Sequence, residues 1–152
     1  MEYFVERVND LHALDIEQLV QESEREGYRF VTRLVTEFED GTNTFSKPGE
    51  GLFCVVTKDA EVVAIGGINE SPLTQDRDVA RLQRFYVLDK VRRQGVGTML
   101  TQSIIDYAKD HFKEITVRTE SAKADAFYRA CGFEFDDSAS ETTHIMRFDD
   151  KE

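Results

Sequence analysis

One short stretch, residues 92–98, constrains the fold of this chain more than any other. It reads Arg-Arg-Gln-Gly-Val-Gly-Thr and lies between a mostly apolar segment, 79–89, and an amphipathic segment, 98–112. The first segment predicts a strand and the second predicts a helix. Glycines let the backbone approach a ligand closely, and the first N–H groups of a helix lie unpaired at the positive end of its dipole. The stretch therefore predicts a site for a diphosphate group.

Two nucleotide alternatives for this loop remain open but fit it poorly. A triphosphate-binding loop ends in Gly-Lys-Ser or Gly-Lys-Thr, whereas Gly97 and Thr98 are adjacent with no lysine between them. A dinucleotide fingerprint needs a third glycine where this chain has Leu100. Glu120 lies near the end of the next predicted strand, where an acid that binds ribose belongs. Too few residues follow Gly97, however, to complete the doubly wound sheet of that fold.

Apolar patterning along the rest of the chain predicts helices and strands in a mixed sheet. Strands are expected at 3–8, 52–57, 62–68, 79–89, 114–119, 133–135 and 144–148, and helices at 11–26, 31–38, 98–112 and 122–131. Asp10 and Ser121 are placed to cap helices. The three strands between 52 and 89 have no intervening helix and should pair antiparallel, while later strands can pair in parallel. We expect a single domain over residues 1–152, with helices on both faces of the sheet.

The acidic composition excludes several classes of partner. The chain has 30 acidic and 19 basic residues and a formal net charge of −11, which opposes the basic face that non-specific nucleic-acid binding needs. It shows no membrane-spanning apolar run and no apolar leader, so we expect a cytoplasmic protein with no membrane partner. Cys54 and Cys131 lie in separate apolar stretches and predict buried thiols in a reducing compartment. The three histidines lack the spacing of metal ligands, so no metal is expected.

Two motifs in this sequence resemble those of the GNAT N-acetyltransferases. The first is Arg92-x-x-Gly95-x-Gly97, which resembles the family's Arg/Gln-x-x-Gly-x-Gly/Ala loop. The second is Ala-Asp-Ala-Phe-Tyr-Arg-Ala-Cys-Gly-Phe at 124–133, which resembles the family's Ala-x-x-Phe-Tyr-x-x-x-Gly-Phe. The resemblance covers about residues 52–148, and before it only two predicted helices match. It implies an α/β fold of the mixed α+β kind, with a mostly antiparallel central sheet, helices on both faces and a splay between the two central strands.

The resemblance also implies acetyl-CoA as a co-substrate and no metal. In that family the loop binds the pyrophosphate through backbone N–H groups, and the preceding strand binds the pantetheine arm as though it were an added strand. Carried onto this sequence, the implied cofactor-binding residues are Phe85, Tyr86, Val87, Arg92, Arg93, Gln94, Gly95, Val96, Gly97, Thr98, Ser121, Phe127 and Tyr128. Ser121 stands where many relatives have an asparagine, so its contact is weakened, and a plain helix cap is the alternative.

Tyr128 is the general acid that the resemblance implies. In the family a tyrosine at this position lies near the CoA sulfur, and a phenol with a pKa of about 10 can protonate a thiolate with a pKa of about 8.5. Its place at the edge of an apolar helix face also suits a packing residue. The general base departs from the family pattern, because Arg81 stands before Leu82 where many relatives have a glutamate. Glu120 and Glu70 are substitutes by position only, and a water chain is equally compatible.

The implied reaction is direct attack of a primary amine on the acetyl thioester. The acceptor is expected to be a small molecule or a peptide, and the acidic balance mildly favours a cationic amine. Its binding regions are expected at the helices in 11–41 and at the loops 69–78 and 136–143. A CoA-binding sensor without turnover is the alternative, motivated by Arg81. A monomer and a homodimer are both compatible with the sequence.

Overall fold

Seven strands and four helices form the part of the chain that the structure describes. The structure is a computed structural model and describes residues 2–119, 121–139 and 141–148. The strands are β1 (Tyr3–Arg7), β2 (Gly51–Thr57), β3 (Val62–Glu70), β4 (Val79–Val87), β5 (Glu114–Val117), β6 (Glu134–Phe135) and β7 (His144–Arg147). The helices are α1 (Glu17–Arg25), α2 (Phe30–Asp40), α3 (Val96–Ala108) and α4 (Ala122–Ala130), with single 3₁₀ turns at Leu11–Ala13 and Asp89–Val91. Within these ranges no helix is long and apolar enough to cross a membrane.

The strands form one sheet in the order β1-β2-β3-β4-β5-β7-β6. Every neighbouring pair is antiparallel except β4 and β5, which confirms the predicted mixed, mostly antiparallel sheet. Helices cover both of its faces: α3 lies over Gly66 of β3, while α1 and α2 pack against β4 on the side of Gly67. As a result, β2 is buried at every position and β3 at every position before Glu70.

The helix predicted to start directly after Asp10 is wrong in its first part. Asp10 caps only one 3₁₀ turn, the chain is extended at Leu14, and α1 begins at Glu17. The two pieces bury Leu11 and Ile16 on either side of the break. Burial of these two side chains outweighs the continuous helical pattern. The other predicted elements are confirmed, with ends that differ by up to four residues.

β4 and β5 pair for only three residues and then separate. Residues 79–81 of β4 pair with 114–116 of β5. β5 ends at Val117, whereas β4 continues to Val87. Within the described ranges, no strand pairs with 82–87 on that side. The predicted splay is therefore confirmed, and it leaves an open backbone edge, here called the gap, in the middle of the sheet.

Candidate active site

The open edge of β4 carries backbone donors that face the gap. Leu88 donates its N–H to the carbonyl of Val63 on β3 at 2.9 Å, and Tyr86 pairs with the same strand. Because N–H groups alternate in direction along a strand, those of Phe85 and Val87 face away from β3. Two such donors suit an extended ligand that adds to the edge in the manner of a strand.

A β-bulge determines which side chain of β4 lies beside the gap. Two residues of β4, Arg84 and Phe85, lie opposite the single residue Gly66 of β3. Arg84 has a left-handed φ of 58°, a conformation that costs a non-glycine residue about 1–3 kcal/mol. Arg84 faces α2, whereas the ring of Phe85 lies on the α3 side, where a Cβ added at Gly66 would be 2.8 Å from it. Alternation from Arg81 and Gln83 alone would have placed Phe85 on the α2 side.

The loop between β4 and α3 holds backbone donors that have no acceptor within the described residues. Arg92 donates its N–H to Asp89, and the next backbone N–H with an acceptor is that of Met99, which donates to Gly95 at 2.9 Å. The N–H groups of 94–98 therefore lie free at the positive end of α3. Gly95 begins the helix with a left-handed φ of 83°, which glycine adopts without strain. This arrangement can bind an anion, as the sequence predicts.

Gly97 brings the start of α3 close to α4. A Cβ added at Gly97 would lie 3.3 Å from the ring of Phe127 and 3.6 Å from Val87. That spacing leaves little room for a side chain. The absence of a Cβ lets the helix terminus, the end of β4 and α4 meet at one end of the gap.

The two arginines of the loop have different surroundings. Arg92 donates to both carboxylate oxygens of Glu26, at 3.0 and 3.3 Å, and to the carbonyl of Val87 at 2.9 Å. Its guanidinium also lies 5.4 Å from the ring centroid of Tyr86, and its hydrogen bond to Glu26 is the main cause of the lowered pKa of that carboxyl. Arg93 is exposed and has a left-handed φ of 65°. The guanidinium of Arg92 is thus held by Glu26 and Val87. The exposed guanidinium of Arg93 is the one in this loop that can bind a ligand.

The side chains of two other implied binding residues also point away from the gap. The hydroxyl of Tyr86 lies 2.7 Å from both Glu22 of α1 and Glu26, which directly follows that helix, and burial together with these carboxylates raises the pKa of the phenol. Gln94 accepts a hydrogen bond from the hydroxyl of Tyr3 at 2.6 Å. Tyr86 therefore braces α1, and Gln94 offers a ligand only its backbone.

Tyr128 lies in an aromatic cluster beside the gap. Its ring centroid is 6.3 Å from that of Phe85, 5.1 Å from Phe127 and 5.6 Å from Phe133. The side chain is 7% exposed, and among the described residues nothing hydrogen-bonds its hydroxyl. Burial raises the pKa of this phenol, so it stays protonated at physiological pH. A protonated phenol in this place can act as a proton donor.

The other implied residues lie around this cluster or outside the described ranges. Glu120 is outside them. The carboxylate of Glu70 lies 3.3 Å from the guanidinium of Arg77, and the structure does not bring it to Tyr128. Ser121 caps α4 by accepting a backbone hydrogen bond at 3.0 Å, as the sequence predicts. Cys131 is half-buried rather than fully buried, and burial raises the pKa of its thiol, which disfavours a nucleophile.

Sequence reasoning missed a cluster of arginines at the closed end of the gap. This arginine cluster contains Arg81, Arg84 and Arg118, with the carboxylates of Glu37 and Glu141. Arg84 lies 3.0 Å from Glu37, and Arg118 lies 3.3 Å from Glu141. Arg81 is half-buried and makes no hydrogen bond or ion pair with a described residue. The sequence did contain one signal for this cluster. Arg81 and Arg84 interrupt the mostly apolar segment 79–89, which is predicted to be a strand.

Sequence comparison relates this chain to known acetyltransferases. A family profile described as "Acetyltransferase (GNAT) family" matches residues 12–133. An uncharacterized N-acetyltransferase of Escherichia coli K12, YjgM, is 34% identical over 99 residues, a match that covers 62% of this chain and 58% of that relative. The chain thus spans less than two thirds of the length of that relative.

Structural comparison finds the same fold. A crystal structure from Exiguobacterium sp. 255-15, described as a candidate acetyltransferase, matches with a TM-score of 0.86 and 28% identity over 97% of this chain and 94% of that one. The GNAT family N-acetyltransferase YhbS of E. coli, crystallised in complex with CoA, matches with a TM-score of 0.70 and 16% identity over 95% and 81%.

Proposed function

Because this chain belongs to the acetyltransferase (GNAT) family, we propose that it transfers an acetyl group from acetyl-CoA to a primary amine. One observation carries the proposal: the open edge of β4 leads to the free N–H groups at the start of α3. These two sets of backbone donors fit two parts of one CoA molecule, its amide-containing arm and its pyrophosphate. YhbS shares this fold and was crystallised with CoA, which supports the assignment.

In this proposal the donor is held mainly by backbone atoms. The N–H groups of Phe85 and Val87 bind the pantetheine arm, and those of 94–98 bind the pyrophosphate. Arg93 adds a full positive charge to the partial charge of the helix. The thioester then lies near Tyr128, at the aromatic end of the gap.

Acetyl transfer proceeds by direct attack. The lone pair of the acceptor nitrogen attacks the carbonyl carbon, the C–S bond breaks, and the sulfur leaves as a thiolate. Tyr128 donates its phenolic proton to that sulfur, and the proton released by the acceptor nitrogen restores the phenol through water. Positioning of the two reactants supplies most of the rate, and the acid adds about 10²–10⁴-fold.

The acceptor loses its proton to water in this proposal. Arg81 cannot serve, because a guanidinium has no acceptor atom. Glu70 is engaged by Arg77, and Glu120 remains a candidate outside the described residues. A primary amine with a pKa near 10.4 must be neutral to attack, so turnover should rise with pH until most of the amine is deprotonated.

The proposal is tested by measuring thiol release from acetyl-CoA with a panel of amines, corrected for hydrolysis. We expect CoA to raise the melting temperature of the full chain and at least one amine to release thiol. CoA binding with no turnover for any amine would favour the sensor alternative. Stabilisation by NAD or ATP but not by CoA would overturn the proposed function.

A further inference from the structure

The arginine cluster lies on a wall of the sheet that faces α2. Arg81 is directly opposite Asn69 of β3, and Gln83 donates to the side-chain oxygen of Asn69 at 2.8 Å. Asn69 also exchanges two hydrogen bonds with Asn43, at 3.0 and 3.1 Å, in the loop after α2. Directly opposed residues share a face of a sheet, so Arg81 lies on the same side as this amide network. The wall beneath Arg81 is therefore fixed by side-chain hydrogen bonds.

Positive charge exceeds negative charge among the described residues of the cluster. Glu37 pairs with Arg84 and Glu141 pairs with Arg118, while Arg81 pairs with neither. Burial lowers the pKa of Arg81, Glu141 opposes this, and the charges of Arg84 and Arg118 add to the lowering. A guanidinium nevertheless stays protonated in proteins. Arg81 is thus a half-buried cation that forms no ion pair with a described carboxylate, and Glu141 acts on it only through its charge.

The phosphates of the donor cannot be the missing partner of Arg81. They belong at the start of α3, beyond the far end of β4 at Val87. Val87 is six positions along the strand from Arg81, which corresponds to roughly 20 Å. Arg81 also faces α2, whereas the ring of Phe85 lies on the α3 side of the sheet. An anion at Arg81 must therefore come from the other substrate.

Building on the acetyltransferase activity proposed above, we propose that the acceptor amine carries a carboxylate or phosphate group, and that Arg81 binds this group. A guanidinium binds either group through two parallel hydrogen bonds. Arg84 stands beside it and has a buried Nε donor that lacks a partner among the described residues. The bound anion supplies the partner that Arg81 lacks.

This acceptor class is the reverse of the one that the net charge of −11 favours. Charges more than about 8 Å away are largely screened at physiological ionic strength, so the local charges decide what binds. A polyamine would bring its cations against Arg81, the guanidinium of the cluster that has no ion-pair partner among the described residues. An amine with an anionic group would bring opposite charge to them.

The test compares matched amines that differ only in the anionic group. Phosphoethanolamine is assayed against ethanolamine, and a set of amino acids is assayed against the corresponding amino-acid amides. The proteins are the unaltered chain, Arg81→Gln, Arg81→Lys and a control, Arg147→Gln. Arg147 is an exposed arginine of β7 that forms an ion pair with Glu114, so its charge is already partnered.

For the unaltered chain we expect kcat/KM to be at least about tenfold higher for the anionic member of a pair, as one charge-assisted hydrogen bond provides. Arg81→Gln should remove that preference, by lowering kcat/KM for the anionic member at least about tenfold more than for the neutral member. Arg81→Lys should restore part of it, because lysine keeps the charge but not the two-pronged geometry. Arg147→Gln should behave as the unaltered chain.

Two outcomes would overturn the inference and spare the proposed function: higher kcat/KM for neutral or cationic amines, or a preference for anionic amines that survives Arg81→Gln. If CoA binds and no panel amine reacts, a second experiment tests the inference. The CoA-bound chain is treated with phenylglyoxal, and mass spectrometry measures the rate at which Arg81 is modified. If inorganic phosphate slows the modification of Arg81 but not that of Arg147, the inference is supported. If Arg81 is modified at the same rate with and without phosphate, the inference is overturned. A chain that does not bind CoA removes both proposals together.

Discussion

The two ends of β4 differ in which atoms they offer a ligand. At the end near Val87 the donors are backbone N–H groups, extended by those at the start of α3. At the end near Arg81 the donors are side-chain guanidiniums, and the backbone is occupied by pairing with β3 and β5. One strand therefore carries a backbone site for the proposed donor and a side-chain site for the proposed acceptor.

The two ends of β4 should therefore respond to different kinds of substitution. A site built from backbone groups depends on the conformation of the main chain, so most side-chain substitutions leave it intact. The exceptions are substitutions that add bulk where two elements pack closely, as at Gly97. A side-chain site depends on a few charged groups, so one substitution can alter what it binds. We expect binding at the end near Val87 to be sensitive to side-chain volume and binding at the end near Arg81 to be sensitive to charge.

Gly97→Glu is the strongest test of the backbone end. We expect the Kd for CoA to rise by about 10³-fold, because crowding and like charge at a partly desolvated site together cost about 4 kcal/mol. The Cβ would lie 3.3 Å from the ring of Phe127, and the carboxylate would face the phosphates. Isothermal titration with CoA measures the change.

Gln102→Glu is the matched control for that variant. It adds the same charge on the exposed side of α3 and should change the Kd for CoA by less than about twofold. An unaltered Kd for Gly97→Glu would show that the loop does not bind the donor.

Tyr128→Phe tests the proposed general acid. We expect kcat to fall by about 10²-fold, the lower range for loss of a general acid. The Kd for CoA should change by less than about twofold, because the ring still packs against Phe85 and Phe127. Steady-state kinetics with a saturating acceptor and titration with CoA measure the two effects.

Tyr107→Phe is the control for the loss of a hydroxyl. It removes a hydrogen bond to the carbonyl of Glu50 at 3.2 Å, away from the gap, and should leave kcat unchanged. Because burial raises the pKa of Tyr128, kcat should not fall through this phenol up to about pH 10. A normal kcat in Tyr128→Phe would make Tyr128 a packing residue.

The neighbouring arginines of the loop should separate binding from stability. We expect Arg93→Gln to raise the Kd for CoA by about fivefold to twentyfold, because one charge-assisted contact is lost. Arg92→Gln should instead lower Tm by about 5 °C, which corresponds to about 1.5 kcal/mol lost from its bonds to Glu26 in a chain of this size. Titration with CoA and thermal unfolding of both variants measure Kd and Tm. Equal effects of the two substitutions on the Kd for CoA would contradict this expectation.

The smallest expected effect is the pH dependence of that stability difference. The pKa of Glu26 is lowered from its ordinary value of 4.5, chiefly by Arg92. A carboxyl with a lowered pKa in the folded state contributes stability above its ordinary pKa and loses it as the pH falls through the folded value. The Tm difference between Arg92→Gln and the unaltered chain should therefore be full above about pH 5 and shrink below about pH 4. Arg93→Gln, measured in parallel, should show no such change, and a constant difference for Arg92→Gln would exclude Glu26 as the cause.

Sequence reasoning predicts the backbone end far better than the side-chain end. Glycine spacing is local, so it identified Gly95 and Gly97, and the resemblance to the family implied the backbone groups of Phe85 and Val87. The role of Arg92 depends on Glu26, which is 66 positions away, and the arginine cluster joins residues from four separate segments. A local sequence pattern cannot predict contacts between distant segments. The break before α1 was missed for a similar reason, because it depends on the burial of Leu11 and Ile16 and not on periodicity.

The bulge at Arg84 has a consequence for how this strand can change length. Arg84 is the extra residue of β4, so deleting it would join Gln83 to Phe85 in an uninterrupted ladder with β3. Residues before and after the deletion would keep their partners and their faces. A deletion at this position would therefore leave the open backbone edge of β4 unchanged, yet it would remove one cation from the arginine cluster. Insertion and deletion here, rather than substitution, offer a route by which relatives could exchange acceptors while keeping the same donor.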